Sequence, residues 1–150
     1  MKYFNVLVLL FFSVLIFSCE KDTLSGTEDE QIEAYIKDKN LVITEKTTTG
    51  LRYIRTKENA SGTLLTKGKK VTLNYTGKLL TGKKFDSGSF SFVLGGGQVI
   101  KGFDEGIAKM RVGESASIIF PSSLGYGSSG TNGIPGNSPL LFEIEILAVN

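Results

Sequence analysis

From Leu51 to the end of the chain, apolar and polar residues alternate with period two, which places every second side chain on one face of a strand. "LRYIRT" (51–56) predicts a first strand. "KKVTLNYTGKLL" (69–80) predicts a longer one with Val71, Leu73 and Tyr75 on one face, and "FSFVL" (90–94) a third that aligns Phe90, Phe92 and Leu94. "SASIIFP" (115–121) and "PLLFEIEILAV" (139–149) complete the set. In the last, Leu140, Phe142, Ile144 and Ile146 alternate with Glu143 and Glu145, so one face is expected buried and the other wet. The period changes to three and four in "VIKGFDEGIAKM" (99–110), where Ile100, Phe103, Ile107 and Met110 share one side of a predicted helix. Asp104 and Glu105 are expected on its exposed side. Strands gathered around one helix predict the α+β class, with an antiparallel sheet wrapped on that helix.

A second helix is predicted ahead of the sheet. In "TEDEQIEAYIKDKN" (27–40) Thr27 and Glu30 have capping-box spacing, acids fill the first turn, Lys37 and Lys39 the last, and Ile32, Tyr35 and Ile36 share a face. Its expected role is to pack on the domain or to space it from a membrane. Gly and Ser gather at 95–97 and again at 125–138, which predicts tight turns and a long loop. "LGGGQVIKG" completes neither of the glycine-rich phosphate-binding patterns.

Composition then narrows the chemistry. The chain has no His, no Trp and a single Cys, so Ser-His-Asp triads, Cys-His pairs, His-based zinc sites and paired redox cysteines are excluded. Neither a metal nor another cofactor is expected. The formal charge is +2, and it falls further if a leader containing Lys2 is removed. The lysines at 67, 69, 70, 78, 83 and 84 are scattered around turns and strands, a solvated rim rather than the basic footprint of a nucleic-acid binder.

The first residues, "MKYFNVLVLLFFSVLIFSCEKD", join a charged start to an apolar run from Val6 to Phe17 that is shorter than the roughly 20 residues needed to cross a bilayer. This is the pattern of an export signal. "IFSC" resembles a bacterial lipobox, with Phe17 bulkier than the usual residue at its place. That resemblance implies a lipoprotein signal peptide at 1–18, a lipidated Cys19, and a flexible tether over 19–26. The domain order is then a helix at 27–40 and one folded domain at 41–150. It also implies a protein of the bacterial cell envelope, lipid-anchored at the outer membrane and facing the periplasm or the surface.

In order along the chain, "NYTGKLLTGKKFDSG", "FSFVLGGGQVIKGFDEGIAKMRVGE", "FPSSLGYG" and "GIPGNSPLLFEIEIL" resemble the successive motifs of FKBP-type peptidyl-prolyl cis-trans isomerases. The resemblance runs from about Lys67 to Val149. It implies a twisted antiparallel half-barrel around one short helix, with an apolar pocket between helix and sheet. It also implies the pocket residues. Tyr75, Phe85, Asp86, Ile100, Phe103 and Tyr126 would carry catalysis, with Phe90, Phe92, Val99 and Phe142 binding substrate. Phe103 would be the floor, Asp86 a polar wall linked to the Tyr75 hydroxyl, and the Ile100 N–H and Tyr126 hydroxyl donors to substrate carbonyls. Partners would be X-Pro segments of polypeptide clients and macrolide immunophilin ligands.

The same residues also fit other readings. Phe92, Phe142 and Ile107 fit a plain core as well as a pocket wall, and Asp86 could cap a turn at Ser87-Gly88. The sequence also departs from the family pattern: Phe103 stands where many members have tryptophan, and no basic residue lies between Asp86 and Phe90 to pair with the acid. The compact loop from Ser128 to Ser138 leaves no room for an inserted chaperone flap. The function expected is prolyl isomerisation in the folding of exported or envelope proteins. The alternatives are a weakly active proline-binding assembly module and a structural envelope lipoprotein that reuses the fold.

Overall fold

A computed structural model of the chain describes residues 24–150. The leader expected at 1–18, Cys19 and the first part of the tether lie outside the described residues. The described part contains helix α1 (Glu28–Asp38), strands β1 (Glu45–Lys46), β2 (Arg52–Lys57), β3 (Lys70–Leu79) and β4 (Lys84–Val93), helix α2 (Lys101–Ile107), strand β5 (Ser115–Phe120), a 3-10 turn (Ser122–Leu124) and strand β6 (Leu140–Val149). The six strands form one antiparallel sheet in the order β1-β2-β5-β6-β3-β4. This is the α+β half-barrel around a short helix.

The alternation along the strands decides what lies on each side. Tyr53 of β2, Val71 and Leu73 of β3, Ile118 and Phe120 of β5, and Phe142, Ile144 and Ile146 of β6 pack with Phe103 and Ile107 of α2 in the main core. The opposite face was expected to be wet, and Glu143 and Glu145 are indeed exposed there. One end of that face is nevertheless buried. Ile54, Leu80, Ile119 and Leu141 form a second apolar cluster with Ile32 and Ile36 of α1. The N-terminal helix therefore packs on the domain, with its start fixed by the predicted capping box: the Glu30 N–H donates to the Thr27 hydroxyl and the Thr27 N–H to the Glu30 carboxylate.

Two elements differ from expectation. Strand β4 starts at Lys84, six residues before the predicted Phe90, so Ser87 and Gly88 form no turn but pair with Thr76 and Tyr75 in the ladder. Its polar first half makes a poor strand by composition; the hydrogen bonds of β3 supply the conformation. Helix α2 is shorter than the predicted span of 99–110. A Cβ on Gly102 would come within 2.5 Å of the Phe120 ring, so the glycine that lets α2 lie against β5 also weakens helix propensity. Asp104 and Glu105 are half-buried rather than exposed: Asp104 accepts from the Gly95 N–H at 2.8 Å, and Glu105 from the Thr49 hydroxyl at 2.8 Å.

Candidate active site

A β-bulge prepares one wall of the pocket. Gly77 pairs with Asp86 and Lys78 with Lys84, which leaves Phe85 as an extra residue in β4. Strict alternation would send Phe85 and Asp86 to opposite faces. With the bulge, Phe85 turns its ring edge-on to Phe142, centroids 5.6 Å apart, while Asp86 lines the pocket. Gly77 makes room for this, since a Cβ there would lie 2.6 Å from the Phe85 ring and 2.9 Å from that of Phe142.

The pocket, about 420 Å³ in volume, lies between the inner face of the sheet and α2. Tyr75, Asp86, Phe90 and Phe142 line it from the strands, Val99, Ile100 and Phe103 from the start of α2, and Tyr126 from the loop after the 3-10 turn. Phe103 is buried at the centre of the aromatic cluster. It meets Phe142 edge-on at 5.0 Å, Tyr75 edge-on at 5.9 Å and Phe90 in a stack at 6.0 Å. Eight of the ten residues predicted for the site line this cavity, and the other two stand behind it. Phe85 backs Phe142, whereas Phe92 is buried in the core against Phe90 and Phe103. Ile107 is likewise core.

Polar groups are few and placed. The Tyr75 hydroxyl donates to Asp86 Oδ2 at 2.6 Å, the link expected from the sequence, and Asp86 Oδ1 accepts from the Ser87 N–H at 2.9 Å. Burial, reinforced by the hydrogen bond to Asp86, pushes the Tyr75 hydroxyl up to about 12, so it stays a donor throughout the neutral range. Ile100 is the N-cap of α2 and has extended backbone; its carbonyl accepts from Phe103 and Asp104. None of the backbone hydrogen bonds among the described residues uses its N–H, which remains available beside the pocket. Tyr126 is 37% exposed.

Sequence reasoning missed two lining residues, Gly97 and Gln98. The Gln98 side-chain oxygen accepts from the Val93 N–H at 2.8 Å and so closes the turn that delivers Val99 and Ile100 to the cavity. An amide placed a few residues from a strand end carries no signal of that in sequence. Such a cavity, apolar and aromatic with a few fixed donors, can grip an apolar ring and orient the peptide around it. Its lining has no His, Cys, Ser or Lys side chain.

Fold and pocket together define a half-barrel with an aromatic box between its sheet and its short helix. A family model described as FKBP-type peptidyl-prolyl cis-trans isomerase matches residues 62–147. FK506-binding protein 2 of Dictyostelium discoideum is 50% identical over 89 residues, covering 55% of this chain and 67% of that protein. A peptidyl-prolyl cis-trans isomerase of Schizosaccharomyces pombe is 49% identical over 89 residues, 55% of this chain and 80% of its own length. Among solved structures, FkpA from Escherichia coli superposes with a TM-score of 0.71 at 32% identity, over 83% of this chain but 59% of FkpA. The chain belongs to the FKBP-type peptidyl-prolyl cis-trans isomerase family, a family of enzymes.

Proposed function

We propose that this chain isomerises X-Pro bonds in exported or envelope proteins and that it works at the bacterial cell envelope, anchored through lipidated Cys19. The observation that carries the catalytic reading is the aromatic box around Phe103 with its Tyr75–Asp86 pair. Rotating an X-Pro bond breaks no covalent bond, but it must remove the partial double-bond character that planarity gives the amide. The twisted amide is less charge-separated than the planar one, so an apolar enclosure favours it over the ground state. Rings of Tyr75, Phe90, Phe103 and Phe142 hold the pyrrolidine, and the Ile100 N–H and Tyr126 hydroxyl fix the flanking carbonyls. Catalysis is then differential binding of the twisted state, with no need of the histidine and cysteine that the pocket lacks. The same cavity would accept ligands of the FK506 type, for which the Dictyostelium relative is named.

The anchor rests on the lipobox-like "IFSC" and the charged run after it. Cys19→Ser tests the whole proposal in one comparison. In cells the variant should move from the membrane fraction to the soluble one. Purified, both forms should accelerate a proline-limited refolding phase at a small fraction of the substrate concentration. Retention of the variant on the membrane would refute the anchor. Acceleration only at stoichiometric amounts would refute the enzyme and favour a proline-binding module.

A further inference from the structure

We propose that Glu28, on the N-terminal helix, is a positioning residue for the pocket tyrosine Tyr126, an inference that rests on the isomerase reading above. Glu28 and Ser122 are separated by 94 positions in sequence. The Glu28 carboxylate grips Ser122 with both oxygens: Oε2 accepts from the Ser122 N–H at 2.6 Å, and Oε1 accepts from the Ser122 hydroxyl at 2.7 Å. Ser122 is buried, and it opens the 3-10 turn, where the first N–H groups have no partner within the turn itself. Glu28 supplies that partner.

The bond network continues to the pocket. The Ser122 carbonyl accepts from the N–H groups of Gly125 and Gly127, both at 2.8 Å. These two residues flank Tyr126. Glycines restrict their own backbone weakly, so the direction of the tyrosine depends on the bonds that hold them. Ser122 is therefore a single pivot: one side is clamped by α1, and the other fixes the segment that presents Tyr126 to the cavity. Helix α1 is a firm base for the clamp, since its apolar face is docked and both Asp29 and Glu33 pair with the buried Arg52. An element outside the half-barrel thus sets the geometry of a substrate-binding group inside it.

The test is a double-substitution cycle in the full chain, held in mild detergent, with exchange of a Leu-Pro peptide as the assay. Glu28→Ala is expected to lower kcat/KM about 5- to 10-fold, because a buried N–H and hydroxyl lose their acceptor. Glu28→Gln keeps an oxygen for the Ser122 N–H and an amide for the hydroxyl, and should retain most of the activity. In a Tyr126→Phe background, Glu28→Ala should bring little further loss, since the group it positions is already gone. A loss that adds in full to that of Tyr126→Phe would mean a general effect on the fold and would overturn the inference. So would unchanged kcat/KM for Glu28→Ala in an active parent. An inactive parent would sink the isomerase reading instead. Amide exchange at Gly125 and Gly127 then still decides the matter: faster exchange in Glu28→Ala supports the clamp, and unchanged exchange overturns it.

Discussion

Phe103→Leu is expected to lower kcat/KM for an X-Pro peptide by about 10-fold or more while the domain stays folded. The ring of Phe103 contacts four other rings, those of Tyr75, Phe90, Phe92 and Phe142, and it is the surface on which a bound pyrrolidine would rest. Leucine fills much of the volume but has no flat face and no edge to offer Tyr75. The packing loss should be modest, roughly 1–2 kcal/mol, because the residue remains apolar and of similar size. Steady-state kinetics and thermal unfolding on the same preparation separate the two effects. Full activity at reduced stability would show that Phe103 is core alone and not the pocket floor.

Removing both carboxylates that face Arg52, in Asp29→Ala/Glu33→Ala, is expected to destabilise the fold by about 3–5 kcal/mol. The Arg52 side chain is 0% exposed, and its guanidinium donates to Asp29, to Glu33 at 2.7 Å and to the Gly50 carbonyl. The acids themselves are partly exposed, at 63% and 43%, and rehydrate easily when alone. The arginine cannot, and it cannot neutralise itself by losing a proton. The domain can limit the damage only by releasing α1 and letting water reach the charge. Thermal unfolding together with amide exchange at Ile32 and Ile36 measures this, and a loss within the ordinary range for exposed surface charges would contradict it. Hydrogen bonds from Arg52 hold the Asp29 and Glu33 carboxyls below their usual range, Lys46 adding to the effect on Glu33. Groups shifted downward in the folded state stabilise it above their unfolded values and lose that contribution as pH falls. The docking of α1 should therefore weaken in acid, and with it the hold of Glu28 on Ser122.

The strands and the apolar side of α2 are legible in the sequence because both report local periodicity. Val71, Leu73 and Tyr75, or Leu140, Phe142, Ile144 and Ile146, announce a buried face whatever lies opposite. The pocket residues are legible only through motif resemblance, and eight of the predicted ten line the cavity. What escaped depends on contacts remote in sequence. Leu141 and Ile119 fall on the face that alternation marks as wet, and only the docking of Ile32 and Ile36 explains their burial. The first half of β4 looks like a loop until β3 pairs with it. Phe85 reaches the inner face through a bulge that no period reveals, and Phe92 could be told from a pocket wall only by the packing of Phe90 and Phe103 in front of it. Glu28 reads as an ordinary first-turn acid; its bond to Ser122 is a product of the tertiary fold.

Catalysis of X-Pro rotation in this pocket is expected to come from enclosure and positioning alone. Its most direct test is magnetisation-exchange NMR of a Leu-Pro peptide with a small fraction of the full chain, using Asp86→Ala as the control. Asp86 is exposed and bonded to Tyr75 on the neighbouring strand, so its loss should alter the pocket and spare the core. Uncatalysed exchange takes tens to hundreds of seconds. The expected result with the parent chain is exchange far faster than this, and with the control a rate lower by about 10-fold. A folded parent that binds the peptide yet leaves its exchange at the uncatalysed rate would contradict it.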